Sequence, residues 1–181
     1  MTTSRPGSVL SLSDQDPTIK EDYEYLWIPY TAFTNASAAT AGAVGATETY
    51  GLDFNADAEE VIDTNILLPR DLNADYDITA NVYYSSSTTS GSGVVWDLEY
   101  ISTGAGDDVG GTNVDLSDTS VDSATVDAVV VSGDLTILNA NITANDLLHL
   151  VLSRDADEVL DTCDVDTTLY GLRLKYTRRS L

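Results

Sequence analysis

The chain is poor in most of the residues from which reactive centres are built. It has one cysteine (Cys163), one methionine, one histidine (His149) and two lysines (Lys20 and Lys175) in 181 residues. A single thiol forbids an internal disulfide and a cysteine-rich zinc site. No apolar run approaches the ~18 residues of a membrane span, so direct membrane insertion is not expected. The opening MTTSRPGSVLSLSDQD lacks the basic-then-apolar pattern of a secretory leader. Bases are scarce as a class: eight Lys+Arg stand against 30 Asp+Glu, a formal net charge of −22. A surface this negative repels phosphate backbones, and nucleic acid is not an expected partner.

What is present is acid, and mostly one acid. Asp supplies 23 of the 30 carboxylates, spread from Asp14 to Asp166. At ordinary ionic strength such a coat repels itself and weakens the compact state. In molar salt the Debye length falls to ~3 Å and the repulsion is screened. The composition points to a halophile or a virus of one; the plainer alternative is an acidic marine or extracellular protein. Leu, Ile, Val and Phe make up about a quarter of the chain. That is above the ~20% below which high charge predicts disorder, so the chain folds.

Period-two alternation dominates, and no long helix is expected. Residues 1–22 carry Pro6 and Pro17 and read as an N-terminal arm before a single domain over 23–181. Strands are expected at Tyr25–Phe33, Tyr50–Asn55, Val61–Leu68, Ile78–Tyr84, Val94–Tyr100, Ala124–Val131, Leu135–Leu138, Leu147–Ser153 and Tyr170–Tyr176. The clearest is Ile78–Tyr84, with Ile78, Ala80, Val82 and Tyr84 on one side. Leu147–Ser153 is apolar on both sides and reads as a buried strand. Ser132-Gly133-Asp134 reads as a hairpin turn. In the last strand Tyr170, Leu172, Leu174 and Tyr176 are expected inward, with Arg173 and Lys175 outward. Asn35–Thr47, rich in Gly and Ala, and Ser102–Asp122, rich in Gly and Asp, read as loops. Eight to nine short strands with turn signals between them predict an all-β, two-sheet antiparallel sandwich, a jelly roll.

Candidate chemistry is thin. His149 sits inside an apolar strand without a nucleophile frame, and is expected to be a packed or hydrogen-bonded strand histidine. Cys163 lies among acids, which disfavour a reactive thiolate. Asp71, Asn73, Asp75 and Asp77 place oxygen donors at alternate positions, like the start of a calcium loop. Tyr76 and Val82 depart from that pattern, and the alternative is an Asp/Asn-stabilised turn. Asp155, Asp157, Glu158, Asp161, Asp164 and Asp166 form a second acidic cluster, in which Arg154 is expected to make an exposed local pair. Asn35-Ala36-Ser37 and Asn141-Ile142-Thr143 match the N-glycosylation pattern. Tyr23, Tyr25, Tyr30, Tyr83 and Tyr84 gather near the first and fourth strands, as a subunit contact or simply as good strand residues.

The order of motifs carries a resemblance. The strand Val61–Pro69, the acidic turn Asp71–Asp77, Gly93-Val94-Val95-Trp96, Asp146-Leu147-Leu148-His149-Leu150, Arg154-Asp155-Ala156-Asp157 and Leu169–Tyr176 follow in series. The series is similar to β-sandwich virion proteins of tailed phages and haloarchaeal viruses, of the capsid decoration, spike or fibre-associated type. The resemblance implies a non-enzymatic structural protein at the capsid surface, self-assembling as a homotrimer beside other capsid proteins. A single-jelly-roll capsid protein of a membrane-containing haloarchaeal virus is an alternative. From another class comes a secreted carbohydrate- or calcium-binding module.

Overall fold

Strands form where large apolar residues recur at every second position, because one face of each must leave water. A computed structural model describes residues 22–37, 40–44, 49–87, 92–107, 114–121 and 128–179. It contains β1 (Tyr23–Pro29), β2 (Thr34–Ser37), β3 (Thr40–Val44), β4 (Thr49–Phe54), β5 (Glu60–Leu67), β6 (Ile78–Ser86), β7 (Gly93–Thr103), β8 (Val114–Val121), β9 (Val130–Val131), β10 (Leu135–Ile137), β11 (Leu147–Arg154) and β12 (Thr167–Thr177). Two 3₁₀ turns, Tyr30–Ala32 and Asn139–Asn141, are the only helical elements among the described residues.

The strands make two antiparallel sheets. Sheet A has seven strands in the order β10-β6-β12-β4-β3, with β1 on the second half of β12 and β9 on the second half of β6. Sheet B has five, in the order β2-β5-β11-β7-β8. Their inner faces supply the core: Ile78, Ala80, Val82 and Tyr84 of β6, Leu148, Leu150 and Leu152 of β11, Trp96 and Leu98 of β7, and Leu172 and Leu174 of β12 are all buried. Trp96 closes one end, edge-on to Phe54 with ring centroids 5.1 Å apart and tilted against Tyr84 at 5.4 Å.

Eight of the nine expected strands are present, although Tyr25–Phe33 ends at Pro29 and passes into the 3₁₀ turn Tyr30–Ala32; of the ninth, Ala124–Val131, the described part holds β9 at Val130–Val131. Three more, β2, β3 and β8, lie inside stretches expected as loops. Their small, polar sequences carry little alternation, and their pairing with β5, β4 and β7 recruits them. Of Ala124–Val131, residues 124–127 lie outside the described residues, as does the arm up to residue 21.

Three local expectations need correction. Ser132–Asp134 is not a hairpin turn: β9 and β10 both pair with β6, so these residues form a jog in one edge. Asn81 fills that jog, its amide donating to the Ser132 and Gly133 carbonyls and to Asp134 Oδ1. β11 is covered on one side only, since Leu147 is exposed and His149 and Val151 are half-buried. Tyr170 is not inward either. A bulge between Leu169 and Gly171 gives the inward place to Leu169, and Tyr170 reaches out to Ser85 Oγ at 2.8 Å.

Candidate binding face

The outer face of sheet A is where the sequence's aromatic and basic residues meet. On β1 the outward positions are Tyr23, Tyr25 and Trp27; on β12 they are Gly171, Arg173 and Lys175; on β6, Thr79, Asn81 and Tyr83. Register sets Tyr25 beside Lys175 and Trp27 beside Arg173, and on the other flank Arg173 beside Asn81 and Lys175 beside Thr79. Gly171 is what lets the rings join. A Cβ there would stand 2.7 and 2.9 Å from Trp27 Cζ2 and Cη2, and against the Ile28 carbonyl. The indole uses that space to cross β12 and meet Tyr83 edge-on, with centroids 5.2 Å apart.

The two cations are set among the rings. The Arg173 guanidinium lies 5.3 Å from the centroids of both Tyr25 and Tyr83, and its Nη2 donates to Asn81 Oδ1 at 2.8 Å. Lys175 Nζ stands 3.8 Å from the Tyr23 centroid. Asn81 beneath Arg173, and Ser85 beside Tyr170, are buried although both point outward. The rim of the face stays open, with Tyr25 58% and Trp27 46% exposed. Beside it a hollow of about 180 Å³ is lined by Tyr23, Tyr76, Asp77, Thr79, Lys175, Tyr176 and Thr177. Burial, then the Asp71 and Glu24 carboxylates, hold the Tyr176 hydroxyl above its usual range. Of the tyrosines expected together, Tyr23, Tyr25 and Tyr83 share this face, Tyr84 lies in the core and Tyr30 in a 3₁₀ turn.

Three of the four side chains of the calcium-like loop, those of Asp71, Asn73 and Asp77, accept hydrogen bonds from protein groups. Asp71 Oδ2 accepts from Arg178 Nε at 2.6 Å, Asn73 Oδ1 from the Asp75 amide at 3.2 Å, and Asp77 Oδ1 from the Asn139 amide at 2.7 Å. Among the described residues no three His, Cys, Asp or Glu side chains gather to hold a metal ion.

The second acidic cluster differs from expectation. Arg154 is not exposed: it and Asp161 are 0% and 1% accessible. Its Nε and Nη2 fork onto Asp161 Oδ2 and Oδ1, each at 2.9 Å. The remaining N–H groups reach the carbonyls of Val165, Asn55 and Cys163. Asp161 also accepts the Val95 and Cys163 amides, so the connection 155–166 continues along β7 where β11 stops. The charge is buried because the loop wraps it, which the exposed-pair expectation did not allow for. At the tip of this pinned connection stand Val159 and Leu160, 82% and 57% exposed.

His149 is a hydrogen-bonded strand histidine, its Nδ1 3.2 Å from Asn65 Oδ1. It borders a hollow on sheet B shared with Ile101, Thr103 and Leu147. Cys163 is buried, its Sγ 3.5 Å from the Val165 carbonyl. Asn141 is exposed, its amide donating to the Tyr100 hydroxyl at 3.0 Å, while Asn35 lies on β2.

No protein-family model and no curated protein sequence matches this chain. Solved structures do. The CBM36-1 domain of a multidomain xylanase from the hindgut metagenome of Trinervitermes trinervoides is similar at TM-score 0.48 and 9% identity, over 83% of this chain and 96% of that one. The CBM22-1 and GH10 modules of a Clostridium thermocellum xylanase, complexed with xylohexaose, are similar at 0.51 and 12% identity. That match spans 88% of this chain and 29% of the xylanase. An insecticidal delta-endotoxin from Bacillus thuringiensis matches at 0.45 and 13% identity, over 87% of this chain and 24% of its own. The fold is a jelly-roll β-sandwich. The likeness to virion proteins is supported to that extent, at the level of fold. Sequence reasoning placed Arg173 and Lys175 outward, but it missed Trp27 and Gly171 as their neighbours. The usable signal was the apolar-to-polar mismatch of β1, whose largest rings fall on the outward positions.

Proposed function

We propose that this chain is a non-catalytic binding module that holds a carbohydrate polymer on the outer face of sheet A. One observation carries the proposal: Tyr25 and Trp27 stay about half exposed beside hydrogen-bonding groups of Asn81, Arg173 and Lys175. A sugar ring has an apolar C–H face and a rim of hydroxyls, which suits rings bordered by donors. The Clostridium thermocellum neighbour carries xylohexaose; here the choice of a sugar rests on the rings themselves. Affinity electrophoresis through gels holding soluble polysaccharides tests it. Retardation by at least one polysaccharide, lost in Trp27→Ala, is the expected result. Equal mobility in every gel would overturn it.

A second proposal keeps the chain as a virion building block, self-assembling and decorating a capsid in high salt. It is favoured by Val159 and Leu160, an apolar knob on a connection fixed by the buried Arg154–Asp161 pair. A rigid knob loses little entropy when a neighbour covers it. Mass photometry in ~3 M salt, chosen to screen the acidic coat, should show oligomers that Leu160→Asp dissolves. A monomer at all concentrations removes the proposal.

A further inference from the structure

We infer that the ligand of the sheet A face is anionic, a polysaccharide bearing carboxylate or sulfate groups; this rests on the carbohydrate proposal and names its chemical class. In a chain with 30 acids and eight bases, a surface cation should find a carboxylate of its own. Arg178 does, bridging Glu24 and Asp71, and Arg154 has Asp161. Arg70 and Arg179, both exposed, do not, and neither do Arg173 and Lys175: among the described residues none of the four has a carboxylate within salt-bridge distance. Arg173 and Lys175 differ from the exposed two in being half-buried. They lie instead against the faces of Tyr25, Tyr83 and Tyr23. The Arg173 Nε is buried without a hydrogen-bond partner.

The surroundings keep native acids from these two cations. Asp134, closest in the register to Arg173 through Asn81, is held by the Asn81 amide. Asp77, which shares the hollow with Lys175, accepts the Asn139 amide. The face therefore offers two positive groups two residues apart on one strand, interleaved with rings. Each ring can take the C–H face of a sugar, and each cation its charged substituent. Guanidinium matches a carboxylate or sulfate through paired donors, and lysine adds a point charge. A second copy of this chain is also a polyanion, but it would bring −22 against −22, whereas a polysaccharide strand brings charge only along its own length.

The test uses the full chain and matched probes: polygalacturonate against its methyl-esterified form, and dextran sulfate against dextran. The charged member of at least one pair should bind about tenfold or more tightly than its neutral partner, the worth of one charge-assisted contact. Which pair responds separates carboxylate from sulfate. Lys175→Gln and Arg173→Gln should each bring the charged and neutral affinities most of the way together, by weakening the charged member of a pair more than its neutral partner, at an unchanged melting temperature. Lys175, further from the buried layer, covers the case in which Arg173→Gln misfolds. Equal or tighter binding of the neutral polymers overturns the anionic class and leaves the carbohydrate proposal standing. No binding to any polymer overturns both. Self-association that disappears in Lys175→Gln, with no polymer bound, overturns the inference in favour of a second copy as the occupant.

Discussion

Arg154 is the residue whose loss should be felt most. Replacing it with Met keeps a long apolar stem but removes every N–H that serves Asp161 and the Val165, Asn55 and Cys163 carbonyls. Asp161, 1% accessible, would keep two backbone amides and lose the Arg154 guanidinium. Stranding one partner of a buried pair costs about 3–5 kcal/mol. At about 2–4 °C per kcal/mol for a domain of this size, the melting temperature should fall by about 6–20 °C. Urea unfolding of Arg154→Met, Asp161→Asn and the double variant gives the coupling. The double variant should lose less than the two singles together, because it leaves no orphaned charge. The salt dependence is the sharper part. An exposed pair fades as the Debye length shrinks to ~3 Å at 1 M, while a wrapped one keeps its effect. A loss below ~1 kcal/mol, the range of exposed pairs, or one that vanishes in molar salt, would refute the reasoning.

Two further outcomes follow from other parts of the fold. Gly171→Ala should destabilise by about 1–3 kcal/mol, since the new methyl meets the Ile28 carbonyl and the Trp27 ring; acrylamide quenching of Trp27 should rise as the indole is pushed off β12, and unchanged quenching and stability would contradict the geometry. Calcium added to chelator-treated protein should leave the melting curve unmoved, because Asp71 and Asp77 already serve Arg178 and the Asn139 amide; a saturable rise would support a metal role for Asp71, Asn73, Asp75 and Asp77.

The sandwich was legible because its core strands advertise themselves. Ile78, Ala80, Val82 and Tyr84 alternate strictly, and each is fully buried. β2, β3 and β8 were not legible, since a strand added at the border of a sheet is held by backbone pairing and needs no apolar stripe of its own. The binding face was half legible. Period two put Arg173 and Lys175 outward, yet nothing local joins residues 27, 83 and 173. Only the register of β1, β12 and β6 does, and a gap the size of one missing side chain lets the indole cross. The buried clamp was hidden for a related reason: six acids in a row of twelve look like a solvated face until the chain folds around one of them.

β1 and β12 run side by side from Pro29–Gly171 to Tyr23–Thr177, and the Arg178 amide donates to the Asp22 carbonyl at 3.0 Å. Whatever precedes residue 22 and whatever follows residue 179 therefore leave from one corner, next to Tyr23 and Lys175. A tag or domain fused directly at residue 22 or residue 179 would stand over the same ground as a ligand, so its placement is itself a variable in any binding measurement. A permuted version, with the old ends joined by a short bridge and the chain opened in the Ala56–Glu59 bend, would move both attachment points away and leave the rings clear.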